Sequence, residues 1–336
     1  MHFHLSIPFA VLIALLGSWF TACSSDLASD PERTVHTVRG PVDAAELGFT
    51  LTHEHLFSNF GKDIDSTDVY DEAALLAQVV PYLQSLHERG VTSVVDCTTQ
   101  HFGRRVDLLR TLADSTGINI ITNTGVYGAA NDRYVPAYCY DLPVEDIAQR
   151  WITEYEQGIA GSGIRPGFIK LAFDDGDPST IDRKLFTAGI LTHRATGLTL
   201  AVHTGNNVVA ANRQMEMLAE HRVGLDAWIW THANKVPDVE VLLRAATRGA
   251  WISLDGVKKN NVPEYLSRLE RFREAGLLNR VLLSHDGNGF PGGGAIRPFA
   301  ALVTDLIPAL QQGGFTPTEI ELLTVRNPLS AFGLTE

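Results

Sequence analysis

Cysteine is scarce. Cys23, Cys97 and Cys139 are the whole complement of a 336-residue chain, too few for a disulfide framework to organise it. Cys97 lies in an apolar strand and Cys139 in an aromatic loop, which reads as two buried free thiols, with a single Cys97–Cys139 bond left open. Positive charge is in deficit as well. Against 39 Asp and Glu stand 27 Lys and Arg, a formal net charge of −12 with no basic run, which argues against nucleic acid as a partner. Low-complexity blocks and short-period repeats are missing. So are long apolar runs, apart from Ile7 to Phe20, which matches a signal-peptide core and falls short of the ~20 residues of a membrane span.

That run leads into Thr21-Ala22-Cys23-Ser24-Ser25, small residues around a cysteine. It resembles a bacterial lipoprotein signal, in which the cysteine is lipidated and becomes the first mature residue. It departs from the pattern in having no Lys or Arg before Ile7, and Phe20 where leucine is usual. The expected organisation is a signal peptide over 1–22, a polar tether over 23–34 and one domain over 35–336. The protein is then exported, periplasmic or held at the outer membrane by a lipid on Cys23.

Within the domain, apolar runs alternate with amphipathic stretches. Strands are expected at Gly48–His55, Val91–Cys97, Ile118–Asn123, Gly167–Leu171, Leu198–His203, Ala227–His232, Trp251–Asp255 and Val281–His285. Helical periodicity marks Asp71–Arg89, Arg104–Thr116, Val144–Ile159, Arg183–Thr196, Val208–His221, Val239–Arg248 and Pro263–Ala275, with final helices in the tail. Sustained strand–helix alternation implies a parallel sheet, and eight units imply a closed (β/α)8 TIM barrel. A doubly wound open sheet is the runner-up, but no Gly-rich dinucleotide turn follows the first strand.

Catalytic residues of such barrels collect where the strands end. Those ends carry His53 and His55, Lys170, His203, His232 and Asp286. A lone His-x-His is weak, yet four imidazoles, a lysine and a carboxylate at matching strand ends make a set suited to divalent transition metals. With Thr37-Val38-Arg39-Gly40-Pro41, Asp96–Arg105, Gly167-Phe168-Ile169-Lys170, Gly276–Arg280, Ser284-His285-Asp286 and Asn327-Pro328, the chain resembles the phosphotriesterase family of the amidohydrolase superfamily.

The resemblance implies two divalent metals, zinc expected. His53, His55 and Asp286 would hold the more buried ion, and His203 and His232 the more exposed one. Lys170, carboxylated by carbon dioxide to a carbamate, would bridge both together with a hydroxide. An ammonium would repel the ions, whereas a carbamate is a two-oxygen anion able to hold both. The hydroxide would attack an ester-like bond of a small molecule, a phosphotriester or a lactone, with Asp286 as general base. A homodimer is implied as well.

Two departures bear on substrate. The family's acidic residue after the sixth-strand histidine is replaced by Ala233-Asn234-Lys235, and the His or Arg after the seventh-strand aspartate by Gly256. Both favour a lactonase for an anionic or sugar-like lactone over an efficient phosphotriesterase. Tyr127 is expected as an aromatic pocket wall, and Lys258, Lys259 and Arg297 as rim cations able to pair with a substrate anion. Gly287 to Gly294 is expected as a flexible lid; it lacks the Gly-Lys-Ser/Thr ending of a phosphate loop. A non-catalytic metal-binding lipoprotein has no need of both Lys170 and Asp286.

Overall fold

The computed structural model describes residues 33–43, 46–64 and 69–335. The expected signal peptide, Cys23 and nearly all of the tether lie outside these residues. The last two expected tether residues, Arg33 and Thr34, instead open a strand, β1 (Arg33–Thr37). The others are β2 (Gly40–Asp43), β3 (Thr50–His55), β4 (Ser93–Asp96), β5 (Asn119–Ile121), β6 (Asn123–Thr124), β7 (Phe168–Ala172), β8 (Leu200–His203), β9 (Trp228–Thr231), β10 (Trp251–Leu254), β11 (Val281–Leu283), β12 (Gly287–Asn288) and β13 (Leu334–Thr335).

β3 to β12 form two parallel sheets, ordered β12-β3-β4-β5 and β11-β10-β9-β8-β7-β6. Both seams between them are short. β5 and β6 are one stave interrupted at Thr122. At the other seam the Thr52 hydroxyl donates to the Leu283 carbonyl (3.0 Å) and the Asp286 amide to the His53 carbonyl (3.1 Å). The eight staves thereby close into a ring, the arrangement of a (β/α)8 barrel.

Helices Glu72–His87, Val106–Thr116, Val144–Gln157, Thr180–Thr196, Val208–Glu220, Val239–Thr247 and Val262–Glu274 stand between the strands. The fourth begins three residues earlier than its apolar period suggests. Ser179 accepts from the Asp182 amide while Asp182 accepts from Ser179, a capping box that fixes the start. β1, β2 and β13 form an antiparallel sheet at the end where the staves begin. There the Val38 amide donates to the Ile120 carbonyl and the Thr199 hydroxyl to the Ala331 carbonyl.

Side-chain alternation sorts each stave. In β7, Ile169 and Leu171 join the apolar layer under the helices, while Phe168 joins the layer filling the barrel. Lys170 shares the parity of Phe168 and so points inward. β3 obeys this rule only in part. Leu51 packs outward, and strict alternation would send His53 and His55 after it. The β3–β4 pairing shifts register between Leu51 and Glu54, and this irregularity turns both histidines into the barrel mouth. Cys97 and Cys139 are both buried free thiols.

Candidate metal centre

A cavity of about 150 Å³ at the strand ends is lined by His53, His55, Lys170, His203, His232 and Asp286, with Ser58, Phe60, Phe102, Tyr127 and Arg297. All six candidate ligands thus come together. Tyr127 and Arg297 are in the lining as expected. Lys258 and Lys259 are not; they are exposed at the short turn Lys259–Asn261 leading into Val262–Glu274. Ser58, Phe60 and Phe102 were not anticipated, because they lie in loops whose course no periodicity fixes.

The hydrogen bonds set the histidine tautomers. Thr98 donates its hydroxyl to the Phe57 carbonyl (3.0 Å), so its oxygen accepts from His55 Nδ1 (2.8 Å). Asp255 accepts from His232 Nδ1 (2.8 Å) and His53 Nδ1 (3.1 Å). Each of these rings therefore carries its proton on Nδ1 and offers a bare Nε2. Burial drives the His53 pKa down to about 3 and that of His203 well below the usual imidazole value, so both are neutral at pH 7. His53 Nε2 and His55 Nε2 lie 3.6 and 3.4 Å from Asp286 Oδ1. Two ligands ~2.1 Å from a tetrahedral ion sit ~3.4 Å apart, so this spacing fits.

Lys170 is 1 % exposed, and among the described residues its Nζ has no hydrogen-bond partner. A buried, unpartnered ammonium is costly. A lysine that became an anion once ions were bound would remove that cost. The donor set therefore fits a metal pair.

Asp255 was read from sequence only as a family match. It is fully buried, and it also accepts from the Ser253 hydroxyl (2.7 Å) and the His232 amide (3.0 Å). Burial opposes its charge, but the imidazoles of His232 and His53 outweigh burial and hold its carboxyl well below the usual range. His53, His232 and Asp255 offer atoms within 4.8 Å of one another, as do His53, His55 and Asp286. The first trio is already joined by N–H···O bonds, so we read Asp255 as the carboxylate that orients two candidate ligands. Asp255→Asn should therefore lower metal affinity about 10- to 100-fold in a chelator competition; unchanged affinity would refute that role.

Glu54, also fully buried, holds the seam between β3 and β11. It accepts from the Ser284 hydroxyl (2.7 Å), His285 Nδ1 (2.6 Å) and the amides of His285 (3.1 Å) and Gly287 (2.7 Å). These bonds clamp the turn that presents Asp286. Asp286 and His232 both adopt left-handed backbone, φ 54° and 60°. Non-glycine residues in that region are strained and concentrate at functional sites.

The sequence departures have a packing counterpart. A Cβ on Gly256 would fall 2.5 Å from Asn234 Nδ2 and 3.0 Å from the Tyr265 hydroxyl. Those two side chains occupy the space that a larger residue after Asp255 would need. The expected lid is pinned: Asn288 and Arg297 pair across it, and the Gly292 amide donates to the Ser58 carbonyl (2.7 Å).

A parallel α/β scaffold with this cluster at its strand ends defines a metal-dependent hydrolase. The chain belongs to the phosphotriesterase family, whose model matches residues 33–332. The Escherichia coli (strain K12) phosphotriesterase homology protein is 29 % identical over 300 residues, covering 85 % of this chain and 98 % of that protein. N-acetyltaurine hydrolase of Rattus norvegicus is 25 % identical over 342 residues, covering 88 % and 96 %. The solved organophosphorus hydrolase from Deinococcus radiodurans superposes with a TM-score of 0.79 at 29 % identity, covering 90 % of this chain and 98 % of that one.

Proposed function

We propose that the chain is a two-metal hydrolase that opens a small lactone or ester. The observation that carries this reading is the buried, unpartnered Lys170 amine amid four histidines and Asp286. His53, His55 and Asp286 would hold one ion and His203 and His232 the other, with Lys170 as a carbamate between them; zinc suits imidazole and carboxylate oxygen. The ions, when bound, supply Lewis acidity and a hydroxide at neutral pH.

The chain's own residues do the rest. Asp286 receives the proton of the attacking water, and its side chain, 33 % exposed, passes it to solvent. That direct route replaces a side-chain relay beyond Asp255, where Gly256 stands. Tyr127, whose hydroxyl lies 3.3 Å from His203 Nδ1, walls the cavity with Phe102.

Substrate is read from the cavity, since the relatives' names span phosphorus esters and an amide. About 150 Å³ is below the ~300 Å³ at which drug-sized ligand pockets begin. A bulky aryl dialkyl triester is disfavoured, and a small ring is favoured. With zinc and bicarbonate supplied, small lactones should be turned over with kcat/KM about 100-fold above an aryl phosphotriester. The reverse order would overturn the lactone reading, and no turnover of either would overturn the hydrolytic one.

A further inference from the structure

We infer that Arg297 makes this cavity selective for a substrate bearing a carboxylate close to the bond that is broken. This rests on the hydrolytic reading above and adds to it the group by which the substrate is chosen.

Arg297 is held in place by its backbone. Its amide donates to the Asn288 carbonyl (2.8 Å) and its carbonyl accepts from the Asn288 amide (2.9 Å). Asn288 pairs in turn with His55 in the β12–β3 ladder. Arg297 therefore stands two strand spacings, roughly 10 Å, from a candidate metal ligand, and, though exposed, it is one of the residues that line the cavity. The loop carrying it is braced further: Gln78 Nε2 donates to the carbonyls of Gly289 (2.7 Å) and Gly294 (3.0 Å). Asn288 Nδ2 donates to Ser58 Oγ (2.6 Å).

The guanidinium itself is uncommitted. Among the described residues it has no ion pair and no side-chain hydrogen bond. The one carboxylate in the lining, Asp286, faces His53 and His55. An unpaired arginine in the lining of a small cavity is a ready fork for a planar carboxylate. Phe60, Phe102 and Tyr127 supply an aromatic part of the lining, packed with ring centroids 5.1 to 6.1 Å apart. The cavity is thus bipolar, and its size keeps the anion within a few atoms of the scissile bond. Lys258 and Lys259 lie outside the lining, so Arg297 carries the selection without them.

The test uses the zinc-loaded full chain, γ-butyrolactone and its γ-carboxylate, and glutarate as an unreactive carboxylate ligand. The carboxylate-bearing lactone should be preferred roughly 10- to 100-fold in kcat/KM, the range of one charged hydrogen-bonded pair. Arg297→Met, which keeps length without charge, should bring that ratio to about one, chiefly through KM, and weaken glutarate binding by calorimetry to a similar degree. Arg297→Lys should keep part of the preference. Equal glutarate binding by the native protein and Arg297→Met, or an unchanged ratio, overturns the inference. If no lactone is opened while glutarate binding still depends on Arg297, the hydrolytic reading fails and the carboxylate site stands.

Discussion

Lys170→Met should move activity and stability in opposite directions. Turnover should fall by at least about 10³-fold, because the variant loses the anion proposed to hold both ions and with it the charge stabilisation they supply. The metal-free protein should gain stability. Its Lys170 amine is buried without a partner, and an unsatisfied buried polar group costs about 1–3 kcal/mol that a thioether of similar length does not. Thermal unfolding of the two metal-free proteins, with zinc-supplemented assays alongside, measures both effects. A variant that keeps activity would exclude Lys170 from the centre. One that loses activity and also destabilises the metal-free fold would mark Lys170 as a structural lysine. Lys170→Ala leaves a void that a short carboxylic acid could fill, and partial restoration of turnover by such acids is the expected chemical rescue.

Asp286→Asn should separate binding from proton transfer. The amide keeps one oxygen toward His53 and His55 but cannot accept a proton, so kcat should drop by about 10²- to 10⁴-fold while part of the metal is retained. In the metal-free protein, burial works against the Asp286 charge. The facing imidazoles of His55 and His53 outweigh burial and hold the carboxyl below its usual value. The group is therefore ionised at neutral pH, and the form able to take a proton persists as pH falls through the ordinary carboxylate range. Near-full turnover in Asp286→Asn would remove it as the base.

Most of the scaffold was legible because two periods dominate it. Runs such as Phe168–Ala172 and Trp228–Thr231 alternate with helices of clear 3.6-residue pattern. The rim residues were legible for a related reason: Lys170 is the one polar residue of its apolar strand, and His203 and His232 stand where theirs end. What escaped depends on contacts between segments distant in sequence. Glu54 clamps a turn about 230 residues away, and Asp255 orients His53 from two staves round the ring, about 200 residues away in sequence. Neither role leaves a local spacing. Their available signal was that each is an acid at a strand end, Glu54 between two histidines and Asp255 directly after Trp251–Leu254. The inward turn of His53 and His55 hangs on one register shift in the β3–β4 pairing. Lys258 and Lys259 failed as lining residues because order along a loop says little about which side chains turn inward. β1, β2 and β13 were missed because short strands with mixed burial carry little periodic signal.

The two-ion centre is tested most directly by counting ions. Full-length protein produced with zinc and bicarbonate, then freed of loosely held metal, should carry about two ions per chain by elemental analysis. One ion or none would contradict it.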